Sequence, residues 1–380
     1  MAFIESFWAA TLASPIYILS FVAVLSVVVF IHEMGHFLVG RWCGVAIDAF
    51  SLGMGPELAH VVDRKGTRWR LAAFPIGGYV KFHGDMNGAS MPDPKAIDAM
   101  PAAEHALTFA AQPVWKRAAI VAAGPVANFL LAIVIFSGLF MIYGKRMQLP
   151  RVQRVIEQSA AAEAGLKAGD LIVSIDGQPI ETFIDMQRVV QRSSGLPLQI
   201  IVRRPEGEAQ VTATPRTGEI PSVAGKQRVG VLGVEASSDP ADVRTERFGP
   251  IASVKLAVGE TWSIVAQTGS YIGGIFVGRE SADQMTGALG IAKISGEMAK
   301  IGVSAVVNLI AFLSVSIGLM NLLPVPLLDG GHLLYYGVEA LQGRPMSQRV
   351  QEAGFRIGIA FVAALMLFAT FNDLKHLVRG

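Results

Sequence analysis

The segment Phe30-Ile31-His32-Glu33-Met34-Gly35-His36-Phe37 places three ionisable side chains within five positions. Residues four apart share one face of a helix, so His32 and His36 can grip a single ion, and zinc suits a pair of imidazoles. Glu33 then stands beside the metal, placed to take a proton from water. On a soluble helix this pattern can be accidental. Here it lies inside an apolar run, where ionisable groups are costly and need a partner. Without a metal, the same residues would be a hydrogen-bonded polar cluster tying helices together.

A catalytic zinc usually has three protein ligands and one open position. The best source of the third is Asn321-Leu322-Leu323-Pro324-Val325-Pro326-Leu327-Leu328-Asp329-Gly330-Gly331. Pro324 and Pro326 cannot continue a regular helix, so the backbone must open there. Open backbone at membrane depth is tolerated where it is buried in protein or lines a cavity. Asp329 follows at once, and Gly330 and Gly331 allow a tight turn. Taken alone, Asp329 could also be a helix-end residue facing water.

Helices must carry these groups. The chain of 380 residues is 52% hydrophobic and 16% charged, against about 25% charged for an average soluble domain. Four apolar stretches, at 16–39, 118–143, 303–323 and 355–371, are each long enough to cross a hydrocarbon core. A soluble protein with buried helices is the alternative, but such helices are rarely apolar all round for this length. The expected fold is a polytopic α-helical membrane protein of about four spans, with a membrane-associated β-hairpin region in the first insert and a small α/β domain as the second. Spans one and three then run the same way, which puts His32, His36 and Asp329 toward one membrane side. Span two runs oppositely, and its polar marker, Gly124-Pro125-Val126-Ala127-Asn128, lies near its start and so in the same leaflet.

The expected organisation is a first span (1–40), an insert on the cytoplasmic side (41–117), a second span (118–143), a small α/β insert (144–240), helices lying at the membrane surface (241–302), a third span (303–331), and a loop, fourth span and C-terminus (332–380). In the first insert, 67–74 and 78–82 have strand-like composition, and 86–104 reads as a loop. In the second, strands are expected at 152–156, 171–175, 198–202 and 210–213, with a helix at 184–192. The first insert carries nine Lys and Arg between Arg41 and Arg117, although basic residues also flank the other side, so positive-inside counting places it only weakly. No Lys or Arg precedes the first span, which argues against a cleaved signal peptide. A net charge of +2 gives no case for nucleic acid, and the lone Cys43 reads as a small buried residue.

These motifs resemble the site-2 protease family, and within it the bacterial regulator-of-sigma-E proteases. The family's H-E-x-x-H appears at His32, Glu33 and His36, and its N-x-x-P-x-P-x-x-D-G at Asn321, Pro324, Pro326, Asp329 and Gly330. Its G-P-x-x-N appears at Gly124, Pro125 and Asn128, and its G-G-Y-V-K at Gly77, Gly78, Tyr79, Val80 and Lys81. The resemblance implies a Zn2+ held by His32, His36 and Asp329, with Glu33 as general base and Asn321 near substrate and zinc. Asn128, Gly78, Tyr79 and Val80 are the further substrate-binding candidates, the last three because an edge strand at 79–82 could capture an unwound substrate segment. The resemblance also implies a bacterial inner membrane protein with its active site toward the cytoplasm. Its substrates would be single-span proteins already trimmed by another protease, such as anti-sigma factors, and signal-peptide remnants.

The second insert resembles a PDZ domain through the run from Ala164 to Ile172, with Gly165, Leu166, Gly169 and Asp170 as its groove candidates. The best-known relatives carry two such domains; one is found here. Lying between spans two and three, it falls on the periplasmic side, opposite the metal. It could exclude bulky substrates, or dock a new C-terminus on the amides of 165–170. A second departure is Ala288, where the family usually has Pro. Two other classes fit part of the pattern. A metal transporter would use His and Asp in spans but has no need of Glu33 between the histidines. A scaffold with a structural zinc would need a fourth protein ligand.

Overall fold

The computed structural model describes residues 15–86, 96–97, 99–222, 225–237, 239–278 and 286–379. Most of the loop expected at 86–104 lies outside the described residues. The chain divides into two compact units. One is built on Met1–Ser137, Val254–Thr268 and Ala282–Gly380, the other on Gly138–Ser253 and Gly269–Ser281.

The first apolar stretch forms helix α1 (Pro15–Trp42). Strands β1 (Ile47–Val62) and β2 (Arg68–Phe82) follow, then a single turn, α2 (Ala102–His105), and the long helix α3 (Val114–Ile142). Helices α1 and α3 meet backbone to backbone. A Cβ on Gly35 would lie 2.2 Å from the Ala123 carbonyl oxygen, so only glycine permits the approach, as in membrane helix pairs generally.

The β1–β2 ribbon curls over the end of α1. Ala49–Leu52 faces Gly78–Lys81 on one side and Arg68–Leu71 on the other, and 57–62 pairs with 68–72. Gly53 and Gly55, both at φ +89, and Gly77, at φ +81, make the bends. Sequence reasoning anticipated the two halves of β2 and missed β1 altogether. Gly53, Gly55 and Pro56 resemble breakers, yet here they shape a strand that remains paired. An aromatic cluster ties the ribbon to α1: Phe37 packs edge-on against Phe50 and Trp69, and Phe50 stacks on Trp69 at 4.6 Å between ring centres.

The second unit contains β3 (Lys145–Gln148), β4 (Val152–Val155), α4 (Ala160–Glu163), β5 (Leu171–Ile175), β6 (Gln178–Pro179), α5 (Phe183–Arg192), β7 (Leu198–Arg204), β8 (Gly207–Ala213), β9 (Arg216–Ser222), β10 (Gly225–Val231), β11 (Val234–Ala236) and β12 (Val243–Glu246). The main sheet runs β6-β5-β7-β8; β3 pairs with β12, β4 with β11 and β9 with β10. Ile172, Ile175, Ile200 and Val202 form a fully buried centre, covered by Phe183, Met186 and Val190 of the strongly amphipathic α5. The four expected strands and the helix are present; the late hairpin and the closing strands were not foreseen.

Gly165, Leu166, Gly169 and Asp170 do not offer free donors to a carboxylate. The Gly165 and Leu166 amides donate to Ala162 and Ala161, the Gly169 amide to Val152, and the Asp170 amide to Lys167. The Asp170 carboxylate is buried and accepts two Arg204 hydrogen bonds at 2.7 Å. Burial alone would push that carboxyl up; Arg204 and the Lys167 amide outweigh it and hold it below its usual range. The glycines shape a turn that satisfies itself.

The remaining helices are α6 (Pro250–Phe276), α7 (Ala288–Ile301), α8 (Val303–Asn321), α9 (Asp329–Gln342) and α10 (Gln348–Arg379). Among the described residues, four helical segments are long and apolar enough to cross a membrane: α1, α3, α8 and Arg349–Lys375 within α10. The Asp373 carboxylate accepts the Gly287 and Gly290 amides at 3.0 Å, fastening α10 to the start of α7. Those bonds bracket Ala288 without using it. Position 288 is the first residue of the helix, where proline is equally at home, so the departure from the family pattern leaves this cap intact.

Candidate metal centre

The site begins with helical spacing. His32 and His36 sit one turn apart on the buried face of α1, and their Nε2 atoms lie 3.2 Å from each other. The chain opens after Asn321, as the two prolines require. It re-enters a helix at Asp329, the first residue of α9. That turn carries Asp329 to the histidines: Oδ2 is 3.1 Å from His32 Nε2, and Oδ1 is 3.6 Å from His36 Nε2. Among the described residues, these three form the one group of His, Cys, Asp or Glu donors close enough to share an ion.

The donor set fits zinc. Ligands about 2.0–2.1 Å from a tetrahedral zinc stand about 3.3 Å apart, which matches these spacings. Asp329 Oδ2 is buried and has no hydrogen-bond donor; an orphaned carboxylate oxygen at the focus of two imidazoles is a group awaiting a cation. The His36 ring is aimed from behind by Nδ1, which lies 2.9 Å from the Ile120 carbonyl oxygen. Donation there fixes the tautomer and leaves Nε2 its lone pair.

Asn128 has a different place from the one expected. It is fully buried, with its side-chain amide 3.3 Å from His32 Nδ1. It is not among the residues that line the cavity at the centre. Its amide can present Oδ1 to the His32 Nδ1–H, the orientation that frees Nε2 for a metal. Ser314 of α8 donates to the Asn128 carbonyl oxygen at 2.9 Å and joins the third span to this support. Gly124 leaves the space open from the same helix: a Cβ there would lie 2.3 Å from His36 Nε2.

The centre opens on a cavity of about 410 Å3 that brings Glu33, Asn321, Gly78, Tyr79 and Val80 together with His32, His36 and Asp329. The Asn321 amide is 3.4 Å from His32 Nε2. A Cβ on Gly78 would lie 3.0 Å from Glu33 Cγ, so β2 passes directly against the acid. The cavity also holds His332, which sequence reasoning missed. The signal was present in Asp329-Gly330-Gly331-His332: three residues on along a helix returns a side chain to the same face.

The match to known proteins agrees with this geometry. Residues 20–365 match the model of peptidase family M50. The chain belongs to this family, the site-2 proteases. A zinc metalloprotease by name from Agrobacterium fabrum is 47% identical over 363 residues, covering 95% of this chain and 96% of that protein. One from Rhizobium meliloti is 47% identical over 359 residues, covering 94% and 96%. The metalloprotease MmpA of Caulobacter vibrioides is 40% identical over 384 residues, covering 95% and 96%. Family and relatives together make this chain a zinc metalloprotease, and its apolar helices make it a multi-pass membrane protein.

The support of His32 is open to test. Asn128→Ala is expected to weaken zinc binding by about 10–100-fold, the usual cost of losing such a partner. Asn128→Asp, which still accepts from Nδ1–H, is expected to recover most of it. Zinc retention against a graded chelator, with helical content as control, is the measurement; equal retention by all three proteins would remove Asn128 from this role.

Proposed function

We propose that this enzyme hydrolyses a peptide bond within the membrane-embedded part of single-span proteins, with Glu33 as general base. The observation that carries the reading is the shared cavity, where three metal-ligand side chains, a carboxylate that is not one of them and a strand with bare backbone line one space. A zinc bound by His32, His36 and Asp329 supplies a Lewis acid for the scissile carbonyl and makes water a better nucleophile. Glu33 accepts the proton released by water and passes it to the leaving nitrogen. Asn321, on the cavity side of His32, is placed to donate to the oxygen that gains charge. A substrate helix satisfies its own backbone and must unwind before attack. The Gly78–Lys81 side of the ribbon pairs with β1 along one edge, and its other edge suits strand addition.

The setting supports a bacterial inner membrane, with the active site toward the cytoplasm. The relatives are bacterial proteins. Trp42, at the end of α1, and Trp115, at the start of α3, are strongly exposed, as side chains of an interfacial belt would be. The second unit, a small antiparallel sheet packed against α5, supports a single PDZ-type domain. Substrates trimmed beforehand by another protease, such as anti-sigma factors and signal-peptide remnants, fit a domain inserted between spans two and three.

Purified Glu33→Gln is expected to retain zinc and lose cleavage of a tagged single-span substrate. His32→Ala, His36→Ala and Asp329→Ala should lose both. Substantial turnover by Glu33→Gln would refute the assigned base, and zinc-free wild-type enzyme that still cuts would refute the metal mechanism.

Val80→Pro is expected to slow cleavage at least about tenfold while zinc stays bound, because proline removes one backbone donor from the ribbon. Substrate spans containing Gly, Pro or Asn should be cut faster than all-Leu spans and should suffer less from this substitution. Normal rates for Val80→Pro on both kinds of span would exclude strand capture.

The inserted domain is proposed to act as a size filter. Because β4 pairs with β11, a clean deletion must run from Arg151 to Ser237; one that stops at Arg216 would strand half of the pair. The deleted enzyme is expected to cut untrimmed substrates that the intact enzyme refuses. Slower cutting of trimmed substrates instead would indicate docking, and unchanged rates on both would leave the domain no part in selection.

A further inference from the structure

A second cavity, of about 360 Å3, adjoins the catalytic one and shares Leu327 and His332 with it. Its size is that of a ligand pocket rather than a packing fault. Four aromatic rings, Phe109, Tyr335, Tyr336 and Phe355, stand in its walls. Its two charges cancel: Arg117 Nη2 is 2.6 Å from Glu339 Oε1, both side chains are largely buried, and the guanidinium lies 5.0 Å above the Tyr336 ring. A charged visitor would have to lose its water with no free counter-charge to meet it. An apolar one would lose nothing. Helix α10 closes one side without filling the space: Gly358 lets it approach so near that a Cβ there would lie 1.9 Å from the Pro326 carbonyl oxygen. The wall between the two cavities includes Leu327 at φ +95, a conformation that a leucine rarely adopts and that concentrates at sites which grip or release ligands.

We propose that this second cavity is a specificity pocket for one large apolar or aromatic side chain of the substrate, next to the bond that is cut. This rests on the proteolytic reading above and adds the selection rule. The occupant follows from continuity. A chain stretched across Glu33 and the metal ligands has its neighbouring side chains within reach of the Leu327–His332 wall. Chemistry on the far side of that wall suits an aliphatic or aromatic group and rejects an acidic or basic one. Arg117 and Glu339 neutralise each other in the pocket's wall.

The test uses full-length enzyme and one single-span substrate, varied to Ala, Leu, Trp or Asp at each position around the cut. Wild-type enzyme is expected to prefer Leu or Trp over Ala by at least about tenfold in kcat/KM at a single position, the scale set by apolar pockets, and to reject Asp there. Ala110→Trp and Met346→Trp fill the pocket from two different loops. Each is expected to cut that Leu-over-Ala ratio at least about tenfold at the same position and nowhere else, with zinc content unchanged. A wild-type enzyme without any position-specific size preference would overturn the pocket. So would filled variants that keep the ratio, or that lose the same factor on every substrate. If wild-type enzyme cuts none of the substrates, the proteolytic reading itself falls, and the pocket with it.

Discussion

Everything near the centre follows from one electrostatic constraint: two imidazoles and a carboxylate are held together where the surroundings are apolar. Ionisable groups so placed are costly unless they are paired with each other or with a metal. The protein commits three helices to that pairing. Helix α1 supplies both histidines, α3 supplies the Ile120 carbonyl and Asn128 behind them, and α9 delivers Asp329. Glycine makes the arrangement possible. Gly35 lets α1 and α3 touch, and Gly124 keeps a methyl group out of the space between the rings.

The same constraint explains why the chain breaks where it does. An aspartate on a continuous α8 would project from the side of that helix at one depth. Interrupting the helix after Asn321 and restarting it at Asp329 lets one short segment place both residues at the centre. The cost is irregular backbone at the end of an apolar span, and the structure keeps it among protein groups. A Cβ on Gly330 would meet the Leu322 carbonyl oxygen at 2.2 Å, and one on Gly331 the Val325 carbonyl oxygen at 2.4 Å. The loop is therefore folded on itself too tightly for any larger residue. Leu327, inside this loop between α8 and Asp329, carries a φ of +95.

Much of this was legible in the sequence, for definite reasons. The pair His32 and His36 is readable because a helix repeats almost every four residues. The four spans are readable because length and hydropathy need no tertiary information. Asp329 is readable because two prolines announce broken backbone. What failed had equally definite causes. Strand β1 was missed because Gly53, Gly55 and Pro56 resemble a turn until their partner strand is known. Asn128 was placed toward substrate because spacing along α3 cannot say which side of a histidine an amide will face. The Gly165–Asp170 run looked like an anion cradle, but whether an amide is free depends on partners such as Ala161 and Val152, which sequence proximity alone does not disclose.

The position of Glu33 draws these strands together. As a neighbour of His32 it cannot share the histidines' direction on the helix, yet it lines the same cavity. It can do so because β2 crosses there as bare backbone at Gly78, where a Cβ would lie 2.9 Å from Val29 Cγ1 and 3.0 Å from Glu33 Cγ. A side chain at 78 would therefore have to displace either α1 or the acid. The residue that could take the proton and the backbone that could hold the substrate thus occupy one gap, and that gap exists only while position 78 has no side chain. On the proposed reading, unwinding a substrate and attacking it would be geometrically coupled, because a chain drawn against the ribbon at Gly78 would already lie beside Glu33.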